Sequence, residues 1–221
     1  MPERYDALLK QIATDPSCLR QVMAVLDQEE TPDDRLLDTI LGIPIFEYHI
    51  EPRSNESERE FRDHYGNEQF VYAGTPYNYI RDTLRCLNPQ PADVVYDLGS
   101  GYGRFPLYGA LTSPAQFVGV EIIPGRSRIA QAAKDRYSIG NARFVEGNVL
   151  DTDISDGTMF YLYQPFAPQT YQKVRETLYS ISQRRKITVA FISDDDITPQ
   201  FPWLRQTHSK GFLIKTYESN I

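Results

Sequence analysis

The chain has 221 residues, of which 41% are hydrophobic and 24% charged, so it is long enough for one globular domain with an appendage. No stretch approaches the roughly 20 apolar residues needed to span a bilayer, and the N-terminus lacks the apolar run of a secretory signal. Two distant cysteines exclude a disulfide scaffold or a four-thiolate zinc site, and the three histidines show no metal-ligand spacing. These features predict a cytoplasmic protein without a metal site.

The net charge of −7 is unevenly distributed. Residues 1–70 hold 16 acidic and 7 basic side chains, whereas the remaining 151 residues hold 14 and 16. Phosphate backbones attract basic surfaces, so this balance disfavours nucleic acid as a partner. The acidic segment suits a basic protein segment or a cationic small molecule, but the acids can equally form only a solvated helical face.

A helix is predicted between Thr31 and Gly42. The sequence TPDD at 31–34 is typical of a helix start, with Thr31 as the N-cap, a proline where no donor is needed, and two acids at the positive helix end. Apolar residues at helical spacing follow as far as Gly42, which ends the helix.

A second, polar helix is predicted to start at Asn55, which with Glu58 resembles a capping box, and to end near Gly66. This segment has few apolar residues that would anchor it to a core. Residues 1–70 are therefore predicted to form an acidic helical extension or lid.

From Asp93 onward, short apolar runs alternate with helical stretches. Strands are predicted at Val94–Leu98, Phe117–Ile122, Arg143–Val145, Thr158–Tyr163 and Ile187–Ile192. Helices are predicted at about Gly103–Leu111, Pro124–Tyr137 and Pro168–Ser182, after an earlier helix that starts at Thr75-Pro76 and ends at Asn88-Pro89. The alternation predicts a doubly wound α/β fold, with a mostly parallel sheet covered by helices on both faces. Two last runs, Leu204–Thr207 and Phe212–Tyr217, flank Ser209-Lys210-Gly211 and predict a C-terminal antiparallel hairpin that brings the sheet to seven strands.

The strongest local signal is VVYDLGSGYGR at 94–104, where an apolar strand ends in Asp97 and continues through Gly99, Gly101 and Gly103 into a helix. Glycines permit unusual dihedrals and let a ligand approach the backbone closely. The G-x-G-x-G spacing differs from the G-x-G-x-x-G of dinucleotide folds. Because Asp97 would repel a pyrophosphate and attract an ammonium group, the loop predicts a site for a cationic ligand.

Three further polar segments follow predicted strands. Glu121 ends the second strand, where a carboxylate can accept both hydroxyls of a ribose. The sequence FVEGNV places Asn148 after the third strand, beside the predicted adenine pocket. The sequence YLYQPF, residues 161–166, ends the fourth strand.

Together these segments resemble the class I S-adenosylmethionine-dependent methyltransferases over roughly residues 70–221. Tyr72 and Thr75-Pro76, with DLGSGYGR, look like the non-SET, seven-stranded protein-lysine methyltransferases, which include the Dot-type histone methylases and a prokaryotic-like DLGSGDGR group. This chain has Tyr102 where that group has a second acid. It also has Gly147-Asn148 where the family commonly has Gly-Asp.

The resemblance implies a methyltransferase domain at 71–221 that binds S-adenosyl-L-methionine and N-methylates a lysine of a protein substrate. It implies cofactor contacts from Tyr72, Thr75, Asp97, Gly99, Ser100, Gly101, Gly103, Glu121, Ile122, Asn148 and Val149. Family members that methylate nitrogen hold the amine with residues after the fourth strand, which implies acceptor-orienting roles for Gln164 and Phe166. Two alternatives remain open at this stage: methylation of a small molecule, and a non-catalytic scaffold that retains the cofactor cleft.

Overall fold

The computed structural model describes residues 3–28, 32–45, 72–163, 166–193 and 200–220. Its helices are α1 (Glu3–Thr14), α2 (Leu19–Leu26), α3 (Asp34–Leu41), α4 (Tyr77–Leu87), α5 (Arg104–Thr112), α6 (Pro124–Arg136) and α7 (Pro168–Ser182), with 3₁₀ turns at Pro16–Cys18 and Val149–Asp151. Its strands are β1 (Val94–Leu98), β2 (Gln116–Glu121), β3 (Ala142–Glu146), β4 (Met159–Leu162), β5 (Thr188–Ile192), β6 (Leu204–Lys210) and β7 (Ile214–Ser219).

The strands form one seven-stranded sheet in the order β3-β2-β1-β4-β5-β7-β6. Strands β1 to β5 are parallel, and β7 lies antiparallel to both β5 and β6. The predicted α/β fold, with its mostly parallel sheet and antiparallel C-terminal hairpin, is confirmed. The strand order reverses at β1, so the crevice beyond the carboxyl ends of β1 and its neighbours is where such a sheet takes a ligand.

Each face of the sheet carries its own apolar cluster, because successive strand residues point to opposite sides. Val95 joins a cluster that includes residues of α2, α3, α4 and α5, whereas Tyr96 and Leu98 join a cluster with residues of α7. The N-terminal helices therefore pack into the same core as one face of the sheet.

Polar contacts also join the N-terminal helices to the sheet region. Arg20 on α2 donates to the carbonyl of Ala110 at 2.8 Å and to Oδ1 of Asn141 at 2.7 Å. Tyr137 donates its hydroxyl to the carbonyl of Ile40 on α3 at 2.5 Å. Helix α5, covered by the sheet on one side and these helices on the other, is buried almost throughout.

Several predicted boundaries differ from the structure by one residue, and β7 starts and ends two residues later than predicted. Two further differences have a clear physical cause. Helix α3 starts at Asp34 with Asp33 as its N-cap, whose Oδ1 accepts from the Leu36 main-chain NH at 3.0 Å, so Thr31 as the cap was wrong. The carboxylate of Asp33 reaches the third amide of the helix, which is the geometry of an N-cap. Strand β6 runs on to Lys210 because an edge strand pairs through its backbone even where its side chains are polar and exposed. The helix predicted from Asn55 to about Gly66 lies outside the described residues.

No helix within the described ranges is long and apolar enough to cross a membrane. Among these same residues, no group of three or more histidine, cysteine, aspartate or glutamate side chains is arranged to hold a metal ion.

Candidate active site

The loop between β1 and α5 turns back over the end of β2. The main-chain NH groups of Gly99 and Ser100 both donate to the carbonyl of Val120 at 2.9 Å. Gly101 has φ of +54°, and a Cβ atom there would lie 2.3 Å from Cε2 of Tyr72. Only glycine allows both this backbone conformation and the close approach of the Tyr72 ring.

A cavity of about 270 Å³ opens at the carboxyl ends of the parallel strands. Every predicted cofactor contact except Gly103 lines it, namely Tyr72, Thr75, Asp97, Gly99, Ser100, Gly101, Glu121, Ile122, Asn148 and Val149. The fold therefore brings together segments that are up to 77 positions apart in the sequence.

Gly103 lies at the start of α5 and does not line the cavity. Its φ is +81°, and a Cβ there would lie 2.8 Å from both Cβ of Ala130 and Cε1 of Phe144. The third glycine of the motif thus allows α5 to pack closely against α6 and β3.

Glu121 is buried and binds the main chain on two sides. Its Oε2 accepts from the NH of Gly101 at 2.7 Å, and its Oε1 accepts from the NH of Ile123 at 2.8 Å. Burial raises the pKa of the Glu121 carboxyl, and Arg126, whose guanidinium lies 3.9 Å from Oε1, partly opposes this shift. A carboxylate has about four acceptor positions, so Glu121 can still accept a ligand hydroxyl beside its main-chain bonds.

Asp97 is also buried, at 5% exposure, on the same wall of the cavity. Burial, and secondly the charge of Glu121, raise the pKa of the Asp97 carboxyl well above its ordinary value. Two carboxyl groups close enough to repel each other favour a cation between or beside them.

Asn148 lines the cavity, but its side-chain oxygen is already partly used. It caps the 3₁₀ turn Val149–Asp151, where Oδ1 accepts from the NH of Leu150 at 2.9 Å. The predicted contact with an adenine amino group would need the remaining lone pair of this oxygen.

The end of the cavity below β4 is walled by aromatic and hydroxyl side chains. Tyr161, Tyr163 and Phe166 line it, and Tyr161 stacks on Phe105 with ring centroids 3.9 Å apart. The Tyr161 hydroxyl lies 2.9 Å from Oγ1 of Thr75. Gln164, predicted with Phe166 to orient the acceptor, lies outside the described residues.

Several lining residues were not predicted from the sequence, among them Arg104, Arg126 and Tyr161. The Arg126 guanidinium carbon lies 5.2 Å from the centroid of the Tyr72 ring, within the range of a cation–π contact. Arg104 ends the glycine-loop motif, so its position was a usable signal, whereas nothing near Arg126 in the sequence marks it as a site residue.

Comparison with known proteins agrees with this geometry. The family model described as "Histone methylation protein DOT1" matches residues 49–146. A protein-lysine N-methyltransferase from Saccharolobus islandicus (strain REY15A) is 35% identical over 94 residues, or 42% of this chain and 58% of that protein. The matched segment therefore spans little more than half of that relative.

A solved structure extends the similarity over more of the chain. The RNA methyltransferase from Salinibacter ruber, in complex with S-adenosyl-L-homocysteine, aligns with a TM-score of 0.51 and 26% identity, covering 66% of this chain and 92% of that one. Over this region the chain is similar to class I S-adenosylmethionine-dependent methyltransferases.

The lining residues fit S-adenosyl-L-methionine, the cofactor that the sequence predicts. The pair of buried acids, Asp97 and Glu121, suits a ligand that carries an ammonium group and ribose hydroxyls. The cavity is also lined by apolar side chains that can pack against the faces of a purine ring, namely Ile122, Ile123 and Val149. We therefore predict that the amino-acid end of the cofactor lies beside Asp97 and that its nucleoside lies beside Glu121.

Proposed function

We propose that this methyltransferase transfers a methyl group to the ε-amino group of a lysine side chain in a protein. The observation that carries the proposal is the make-up of the cavity end at β4, where the described lining side chains are aromatic, hydroxyl-bearing or small. A flexible side chain that ends in an amine fits such a channel, because aromatic rings attract a cation.

A lysine enters as an ammonium ion and must lose a proton before its lone pair can react. An apolar, poorly solvated channel lowers the pKa of an amine because it disfavours the charged form. Tyr163 lies in partly desolvated surroundings of this kind, because burial raises the pKa of its hydroxyl. The Phe166 ring can attract the cation as it enters. In the proposal, Gln164 adds a carbonyl oxygen that directs the amine.

When bound, S-adenosyl-L-methionine supplies an electrophilic methyl group and a neutral thioether leaving group, so that nitrogen gains the methyl group and releases one proton. The protein's own task is then alignment, which contributes up to about 7–11 kcal/mol of barrier lowering in favourable cases. Asp97 and Glu121 hold the two ends of the cofactor in this proposal, while Tyr163 and Phe166 wall the path of the acceptor.

The name of the Saccharolobus islandicus relative supports a protein-lysine acceptor. The excess of acids in residues 1–70 supports a basic protein substrate, since opposite charges favour encounter. The net charge of −7 disfavours general binding of nucleic acid.

The test is a labelling experiment with the full chain. Radiolabelled S-adenosylmethionine is incubated with protein and cell lysate, and label is followed by gel and by acid hydrolysis to N-methyl-lysine. Lysate whose lysines have been acetylated is the matched control and should accept no label. Label found only in low-mass material or in nucleic acid would contradict the lysine acceptor. Cofactor binding without any transfer would instead indicate a non-catalytic scaffold.

A further inference from the structure

A buried ion pair joins the N-terminal helix α3 to the glycine-loop helix α5. Asp38 on α3 and Arg104, the first residue of α5, are only 1% and 3% exposed. The Nε of Arg104 donates to Oδ1 of Asp38 at 2.9 Å, and one terminal nitrogen of Arg104 donates to the other carboxylate oxygen. Such a two-point contact fixes the plane of the guanidinium as well as its position.

The other side of Arg104 contacts the segment that lines the cavity. Its NH1 donates to the carbonyl of Thr75 at 3.2 Å. A Cβ atom on Gly74 would lie 2.6 Å from that same nitrogen and 3.0 Å from the Tyr72 hydroxyl oxygen, so the backbone lies directly on the guanidinium. Tyr72 and Thr75 both line the cavity, and Thr75 in turn contacts the hydroxyl of Tyr161.

Helix α3 holds the other end of this segment as well. The Tyr77 hydroxyl donates to Oδ1 of Asp38 at 3.0 Å, and the Tyr77 main-chain NH donates to Oδ1 of Asp34 at 3.1 Å. The segment Tyr72–Thr75 therefore lies between Arg104 on one side and the start of α4 on the other, and both are fixed by α3.

We propose that Asp38 is a positioning residue for the cofactor site, acting through Arg104 on the segment Tyr72–Thr75. The inference rests on the cofactor assignment and is independent of the acceptor. In this account α3 is a fixed support of the cofactor site. If the Asp38 charge is removed, Arg104 becomes a buried charge without its bidentate partner and turns toward other acceptors. The backbone that lies on its guanidinium then loses its support.

The test is calorimetric titration of the full chain with S-adenosyl-L-homocysteine. Asp38→Asn keeps the shape of the side chain and loses the charge, so the Kd should rise at least tenfold while the binding stoichiometry stays near one. Asp27→Asn is the matched control, because Asp27 joins α2 to the same helix through Tyr108 and does not line the cavity. Its Kd should stay within twofold of the wild-type value.

A purely structural role for Asp38 would lower the stoichiometry or the Tm and leave the Kd unchanged, which would overturn the proposal. Asp38→Glu keeps the charge pair but shifts the guanidinium, so its Kd should lie between those of the wild type and Asp38→Asn. Asp38→Glu also keeps the proposal testable if Asp38→Asn does not fold. In that case, a Kd for Asp38→Glu equal to that of the wild type would count against the proposal. Failure of the wild type to bind would overturn the cofactor assignment itself.

Discussion

Glu121 connects the end of β2 to the neighbouring glycine loop, because its Oε2 accepts a hydrogen bond from the main-chain NH of Gly101 at 2.7 Å. Its Oε1 accepts from the NH of Ile123 at the start of the following helix. One buried carboxylate thus holds two backbone segments that both line the cavity. The hydrogen bonds of Glu121 therefore hold the glycine loop against the end of β2 without a ligand.

Replacing Glu121 should weaken cofactor binding. Glu121→Gln removes the charge and one acceptor, so the amide cannot accept from both main-chain NH groups. The loss should be about 1–3 kcal/mol, or roughly 5- to 150-fold in the Kd for S-adenosyl-L-homocysteine by calorimetry. Glu146→Gln is the control, because Glu146 is the register partner of Glu121 on β3 but is half exposed and does not line the cavity. Equal affinities for the two variants would contradict the role of Glu121.

Cofactor binding should release a proton from Asp97. Burial and the charge of Glu121 raise the pKa of this carboxyl, so the free protein retains its proton to a higher pH than an ordinary aspartate does. A bound ammonium group favours the ionised form, lowers the pKa and expels the proton. The affinity should therefore increase as the pH rises through the pKa of the free protein.

Calorimetry between about pH 5 and pH 8, in buffers of different ionisation enthalpy, measures this proton release directly. In Asp97→Asn the affinity should be lower and the proton release smaller, and any that persists would belong to Glu121. Proton uptake by the wild type on binding would be the opposite of the expected sign.

Gly101→Ala should harm cofactor binding more than its backbone strain alone explains. Gly101 and Gly211 both have positive φ, +54° and +61°, but a Cβ at Gly211 would meet nothing within 4 Å. An alanine costs about 1 kcal/mol in this conformation, or roughly 2–4 °C in Tm for a chain of this size. Gly211→Ala should show only that loss, measured by thermal unfolding. Gly101→Ala must also displace the Tyr72 ring, so its affinity for S-adenosyl-L-homocysteine should fall as well, and identical behaviour of the two variants would refute the close contact.

Phe166→Ala should separate transfer from cofactor binding. Phe166 lines the β4 end of the cavity, where the acceptor is proposed to enter. The variant should keep a Kd within about threefold of the wild type, while the rate of labelling of lysate protein falls by tenfold or more because the amine is no longer aligned. Phe212→Ala, at the hairpin and 72% exposed, is the control and should leave both quantities unchanged. A Phe166→Ala variant with full transfer activity would count against the proposed acceptor path.

The sheet and the glycine loop could be predicted because their signals are local. The strand β1 was predicted to its exact ends, since a buried parallel strand is a mainly apolar run, here interrupted only by Asp97, and a glycine follows it. Helix α7 was predicted equally well from its first-turn proline and apolar spacing. The extent of β6 was underestimated because an exposed edge strand has no alternation of polar and apolar residues to read.

Contacts between distant segments could not be read from the sequence. Asp38 and Arg104 are 66 positions apart, and an acid within an amphipathic helix is normally solvated, so nothing local predicts their burial. The main-chain bonds of Glu121 were missed for the same reason, although the position of its carboxylate at the end of β2 was predicted. Sequence patterns place a side chain at the edge of the sheet, whereas its partners depend on how the loops fold back.

The most direct measurement is titration of the wild-type chain with S-adenosyl-L-homocysteine, followed by calorimetry and by thermal unfolding. We expect one site per chain and, at a ligand concentration of 100 times the Kd, a stabilisation of about 2.7 kcal/mol, or roughly 5–10 °C in Tm. An absence of both heat and thermal shift, or competition by a dinucleotide for the same site, would contradict it.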